Sequence, residues 1–126
     1  MKHKDIIKIL SLIGEEEEST APIKNHAIYS AMIGKCVMIR TYSAGVHFGT
    51  LIAKDGQSVL LHNAKRVHYW DGACSLSQLA KDGSSKGEDC RISVKVKEII
   101  LEQVIETILM TDEAIENLYG IKEWKK

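Results

Sequence analysis

The chain has 126 residues, 44% of them hydrophobic and 27% charged, and its 17 acidic and 17 basic side chains give a formal net charge of zero. Length and composition describe one ordinary globular domain with enough chain to bury a real core. The zero balance argues against a general duplex nucleic-acid binder, which carries a net basic footprint, and no apolar run approaches the ~18 residues of a bilayer-spanning helix.

At the N-terminus, Ile6, Ile9, Leu10 and Ile13 fall at helical spacing, and Gly14 is a stop, so residues 1–14 are read as an amphipathic helix. The acidic run Glu15 to Glu18 and the following Ser19-Thr20-Ala21-Pro22 form a solvated linker, and residues 23–34 are ambiguous, with a short helix ending near Gly34 as one reading. The remaining span, 34–126, is expected to be a β-rich domain with a C-terminal helix.

From Lys35 the signal turns to strands. Cys36 to Tyr42 is rich in branched and aromatic residues, Ser43-Ala44-Gly45 reads as a turn, and Val46 to Lys54 is the return strand. Asp55-Gly56 signals a hairpin with a type I′ turn. Ser58 to His62 is a third strand, Asn63-Ala64 a turn or bulge, and Lys65 to Trp70 a fourth. A short helix follows over 75–80 with Ser75 as N-cap, then a polar, flexible loop over 82–89. Arg91 to Lys97 alternates as a half-buried strand. Val104 to Leu109 is a strand preceded by a bend or loop, with a helix over 98–109 as the competing reading. Thr111 caps a last helix whose first turn carries Asp112 and Glu113, Gly120 ends it, and a tail with Trp124 closes the chain. The expected fold is mainly β (α+β): a small bent antiparallel sheet or half-open barrel of five to six strands, with short helices at the N-terminus, after the meander and at the C-terminus.

The motif Arg40-Thr41-Tyr42-Ser43-Ala44-Gly45-Val46-His47 with Gly49 and Leu51, continuing through Asp55-Gly56, Asn63-Ala64-Lys65-Arg66, Tyr69-Trp70 and Ser75 to Ala80, resembles a family of small uncharacterised proteins common in tailed phages and prophages. The resemblance covers residues 34 to about 120, and His68 departs from the family's usual pattern. It implies a β-rich fold and a phage or mobile-element setting, hence the cytoplasm of a host cell, and it supplies no catalytic residues. Small phage accessory proteins of this size include oligomeric sponges for nucleotide immune signals; that analogy of setting raises the same expectation here.

The residues themselves point to a polar ligand. Arg40 and Arg66 offer planar guanidinium forks that match phosphate oxygens. Gly45 opens a turn whose backbone N–H groups could form an anion-binding nest, and the Ser43 hydroxyl stands beside it. Tyr42, His47, Tyr69 and Trp70 are flat rings on which a base could stack. Each has a plainer reading: Arg40 in a surface ion pair, the glycines for geometry, and Trp70 in the core. No P-loop, nucleophile elbow, dinucleotide fingerprint or HxE with paired cysteines is present, so no enzyme is expected. Cys36, Cys74 and Cys90 are odd in number and form no CxxC; together with the lack of a signal peptide this favours a reducing cytosol, with no metal or cofactor expected. The expected function is a non-enzymatic accessory protein that sequesters a small phosphorylated or nucleotide-like ligand as a homo-oligomer, low net charge easing self-association. The rival readings are a module that blocks a host factor through Tyr69 and Trp70, and a single-strand nucleic-acid binder.

Overall fold

The computed structural model describes residues 27–126. The helix and acidic linker expected before Ala27 lie outside those residues. Ala27–Ala31 fall in one compact unit, where Ala27–Ser30 form the short helix α1; Met32–Lys126 form a second unit, which carries everything below.

The second unit opens with three antiparallel strands, β1 (Cys36–Thr41), β2 (Val46–Asp55) and β3 (Ser58–Tyr69). Helix α2 (Leu76–Asp82) and a 3-10 turn (Gly87–Asp89) follow. Then come β4 (Arg91–Ile92), β5 (Val96–Leu101), β6 (Val104–Leu109) and helix α3 (Asp112–Tyr119). The strands make one six-stranded antiparallel sheet in the order β4-β3-β2-β1-β6, with β5 also on β3. The sheet does not close, because β6 at one end pairs with neither β5 nor β4 at the other. This is the mainly β architecture expected from the sequence.

Several boundaries differ for identifiable reasons. The expected third and fourth strands are one 12-residue strand. Asn63 adopts φ 54° within it, a left-handed residue that kinks the strand without ending it. The kink divides the labour of one edge: Val59 to Ala64 pairs with β5, and Val67 and Tyr69 pair with β4. The β2–β3 turn is centred on Gly56-Gln57, since Asp55 pairs with Ser58. Only Gly56 has positive φ, at 60°, which suits a II′ turn and not the I′ turn expected. The alternating stretch 91–97 is not one strand; it breaks at Ser93 and resumes as β5. The bend or loop expected before Val104 is strand to Leu101, with Gln103 turning the chain at φ 53°. The loop over 82–89 is pinned: Ser84 is buried, and Asn117 accepts its N–H at 2.9 Å and donates to its carbonyl at 3.0 Å.

Strand alternation sorts the apolar side chains onto two faces. Val37, Ile39, Leu51, Val59, Leu61 and Ala64 gather on one face, joined by Leu101 of β5 and Val104 of β6. Met38, Phe48 and Val67 gather on the other with Ile92 and Met110, covered by Leu79 of α2 and Ala114 and Leu118 of α3. Both helices start where the sequence places them. Ser75 Oγ accepts Gln78 N–H at 3.1 Å, and Thr111 Oγ1 accepts Ala114 N–H at 3.0 Å. Cys36, Cys74 and Cys90 are free thiols. Burial pushes the Cys36 thiol up to about 11, against the opposing hydrogen bond with Tyr119, so it stays protonated and packs as an apolar group.

Candidate anion-binding site

The first hairpin decides which predicted residues meet. Ile39 pairs with His47, and Arg40 with Val46. Ile39 belongs to the face of Val37 and Leu51, so His47 points there too. Arg40 alternates onto the other face, the one carrying Met38, and cannot join His47 in one site. Arg40 Nε instead bonds Glu106 Oε1 at 2.9 Å, its directly opposed neighbour on β6. That ion pair is half-exposed, the plainer of the two roles open to Arg40.

The turn between β1 and β2 is organised by its own side chain. Thr41 Oγ1 accepts Ala44 N–H at 2.8 Å and donates to the Gly45 carbonyl at 2.9 Å. Gly45 supplies the positive φ of 85° that closes the turn. Tyr42 N–H donates to the Gln103 carbonyl at 2.9 Å. The N–H groups of Tyr42 and Ala44 are therefore engaged and do not form the anticipated nest. Ser43 Oγ lies 3.4 Å from Gln103 Oε1, and the Tyr42 ring stands 76% exposed.

His47 and Arg66 do come together. They are register partners on β2 and β3, and Arg66 Nε donates to His47 Nε2 at 2.9 Å. His47 is 1% exposed. Arginine only donates, so Nε2 is the acceptor and the neutral ring carries its proton on Nδ1. That buried nitrogen has no hydrogen-bond partner among the described residues. Burial first, then the positive charges of Arg66 and His68, push His47 from 6.5 to about 4. A cleft of about 220 Å³ opens beside the pair, lined also by Lys65, His68, Ser93 and Val96. Ser93 Oγ accepts Arg66 N–H at 2.8 Å, which holds the segment after β4 against the cleft. No carboxylate of the described residues lines it. The two Nη groups of Arg66 make no hydrogen bond or ion pair among the described residues.

The last two predicted residues lie elsewhere. Tyr69 is 52% exposed at the end of β3, paired with Arg91. Trp70 packs against the helix-covered cluster and donates its indole N–H to the Ala73 carbonyl at 3.3 Å, so its ring is committed to packing. The predicted set thus divides into Arg40 on one face, Tyr42, Ser43 and Gly45 at a turn, His47 with Arg66 in a cleft, and Tyr69 and Trp70 at a strand end. Sequence reasoning missed Ser93, which reaches Arg66 only because the 91–97 stretch breaks.

Residues 34–118 match the model of a protein family described as Domain of unknown function (DUF6948). The chain belongs to that family. The matched span contains every residue of the His47–Arg66 cleft and stops short of the C-terminal tail. No curated protein matches the sequence. Solved structures similar to the chain include a heptameric archaeal Sm protein at 17% identity, covering 68% of this chain and 98% of that one with a TM-score of 0.44. The P. aerophilum SmAP1 heptamer is similar at 16% identity, 72% and 99% coverage and a TM-score of 0.46. An Sm-like protein from Archaeoglobus fulgidus is similar at 16% identity, 72% and 100% coverage and a TM-score of 0.44. Among the described residues no helix is long and apolar enough to cross a membrane.

Proposed function

We propose that the protein is a non-enzymatic binder that sequesters a small phosphorylated or nucleotide-like ligand, seating a phosphoryl group in the His47–Arg66 cleft. The observation that carries this reading is the Arg66 guanidinium, held in orientation by His47, with both Nη groups unpaired among the described residues, in a cleft that none of their carboxylates lines. Such a fork offers two parallel donors to a phosphoryl oxygen pair. The volume of about 220 Å³ is below the range of whole-ligand pockets, so it suits the phosphoryl group while the rest of the ligand lies outside. An accessory role in a phage or mobile-element setting, suggested by the sequence resemblance, fits a sequestering protein.

The test is a thermal-shift panel of nucleoside mono- and diphosphates with inorganic phosphate. A true ligand at 100-fold its Kd adds about 2.7 kcal/mol of stability. The shift is expected to vanish in Arg66→Ala and to persist in Arg40→Ala, each measured against its own unliganded melt. A panel without any shift, or a shift that survives Arg66→Ala, overturns the reading.

We also propose self-assembly through the free edges of β5 and β6. Among the described residues each has one hydrogen-bonded neighbour, β3 and β1 respectively. Ile100 on β5 is 61% exposed, and Ile105 and Leu109 on β6 are 47% and 45% exposed. Unpaired edges flanked by apolar side chains are templates for another strand, and the zero net charge puts no barrier in the way.

A further inference from the structure

The chain leaves α3 at Gly120 and its last residues return over β3 and β4. Glu123 Oε2 lies 3.4 Å from Lys65 Nζ and accepts Lys95 N–H at 3.3 Å. Trp124 N–H donates to the Ile92 carbonyl at 2.8 Å. The Trp124 indole lies 5.0 Å from the His68 ring and 5.4 Å from Arg91 Cζ.

Lys65 makes this more than a resting tail. Its side chain is only 4% exposed, and a buried ammonium requires a counter-charge. The face of the Tyr119 ring, 5.6 Å away, supplies part of it. Glu123 is the one carboxylate paired with Lys65 among the described residues. Desolvation pulls the Glu123 carboxyl up, but Lys65, with the Lys95 N–H and Lys125, outweighs it and holds the group below its ordinary value. The body of the protein thus offers a carboxylate seat, a main-chain acceptor at Ile92, and a ledge of imidazole and guanidinium that receives an aromatic ring. All of the body's parts lie within residues 34–119, whereas the occupant comes from beyond the family-matched span. The occupant is also not sealed in. A cleft of about 680 Å³ runs along it beside Gly87, Cys90 and Asn117, and Trp124 keeps 51% of its surface exposed.

We propose that residues 122–126 are a displaceable internal occupant of a peptide-binding ledge, and that the ledge takes an extended segment of a partner protein in which an acidic residue is followed by an aromatic one. The partner's carboxylate replaces Glu123 on Lys65 and the Lys95 N–H. Its aromatic ring replaces Trp124 over His68 and Arg91, and its main-chain N–H takes the Ile92 carbonyl. Lys65 is paired both before and after the exchange, so it swaps like for like and leaves no unpaired buried charge in the end state. The ledge shares Lys65 and His68 with the lining of the phosphoryl cleft but uses neither His47 nor Arg66, so the peptide test and the Arg66→Ala test read different groups.

The test uses the full chain and a fluorescein-labelled, end-capped peptide Lys-Glu-Trp-Lys-Lys, read by anisotropy. The double variant Glu123→Gln/Trp124→Ala, whose own tail is weakened, is expected to bind the peptide about tenfold or more tighter than the unaltered chain. The same peptide with glutamine for its glutamate is expected to lose about tenfold, a comparison that leaves the protein untouched. Equal affinity for the two peptides, or equal affinity of the unaltered and double-variant chains, overturns the proposal. A dimer of the unaltered chain that disappears in the double variant, seen by light scattering, would assign the ledge to the tail of a second copy and overturn the partner reading.

Discussion

Arg66 donates its Nε–H to His47 Nε2 at 2.9 Å, which leaves the imidazole's remaining proton on a buried nitrogen that meets no acceptor among the described residues. Protonating Nε2 would break this bond and bury a second charge beside the guanidinium. The folded imidazole therefore titrates near 4 and the unfolded one near 6.5. Between those values unfolded chains take up a proton that folded chains refuse. Stability from this group is fully present above the unfolded value, declines as pH falls and is lost once pH passes the folded value, roughly 3 kcal/mol in all. Urea midpoints at about pH 7.5 and about pH 4.5 check it, with His47→Gln expected to show a shallower dependence. An identical dependence in the variant would refute the assignment.

Gly49 marks the crossing where β2 bends over β3. A Cβ there would lie 2.9 Å from the His62 carbonyl oxygen and 3.1 Å from Ala64 Cα, both backbone atoms that no rotamer change can move. Gly49→Ala is expected to cost about 2–3 kcal/mol by overpacking, measured by urea or thermal unfolding. Gly45→Ala meets open space but sits at φ 85°, so its cost is that of one left-handed residue, about 1–2 kcal/mol. If Gly49→Ala proves the milder of the two, the bent crossing is not rigid.

These two positions show what was readable beforehand. Gly49 pointed to a bulge or a close backbone approach, the two common uses of a glycine inside a branched strand, and the short Cβ distances show the close approach. The caps at Ser75 and Thr111 were readable because a hydroxyl before an apolar helical pattern is a local signal, complete within four residues. Asn63 was ambiguous because a bulge and a strand end share the same left-handed residue, and only the partners of β3 decide between them. The site is where reading by proximity in sequence failed. Arg40 and His47 are close along the chain, yet a hairpin turning at 42–45 pairs Ile39 with His47 and puts Arg40 on the opposite face. Strand alternation carried that information, and it could have separated the two residues without coordinates. Ser93 and Glu123 left no such trace, since each reaches its partner across chain separations of 27 and 58 residues, taken as 93 minus 66 and 123 minus 65.

Thr111 joins the two helices to the sheet's end as well as capping α3. Its hydroxyl accepts Ala114 N–H at 3.0 Å and donates to the Lys81 carbonyl, while its N–H reaches the Ala80 carbonyl at 3.2 Å. Thr111→Ala removes the cap and leaves the Lys81 carbonyl of α2 without its hydroxyl donor, at a cost of about 1–2 kcal/mol, while the main-chain bond to the Ala80 carbonyl stays. Thr111→Ser restores both side-chain bonds and is expected to recover most of it. A serine variant no better than alanine in unfolding experiments would show that the methyl group, and not the hydroxyl, matters here.

The free edges of β5 and β6 allow a prediction that leaves the phosphoryl cleft untouched. Ile100 and Leu109 are exposed, so replacing either removes no core contact, and the monomer fold should change in stability by no more than about 0.5 kcal/mol. A lysine at either position blunts an edge for pairing, as charged residues do on natural edge strands. Light scattering of the unaltered chain should give a mass above that of one 14.1 kDa chain, and Ile100→Lys and Leu109→Lys should each lower it with circular dichroism unchanged. Because β5 and β6 are different strands, a head-to-tail contact uses one edge from each copy, and either single substitution suffices. An isologous contact uses the same edge twice, so only one of the two substitutions would act. The pattern across the pair therefore distinguishes the two geometries, and an unaltered chain that remains a monomer removes both.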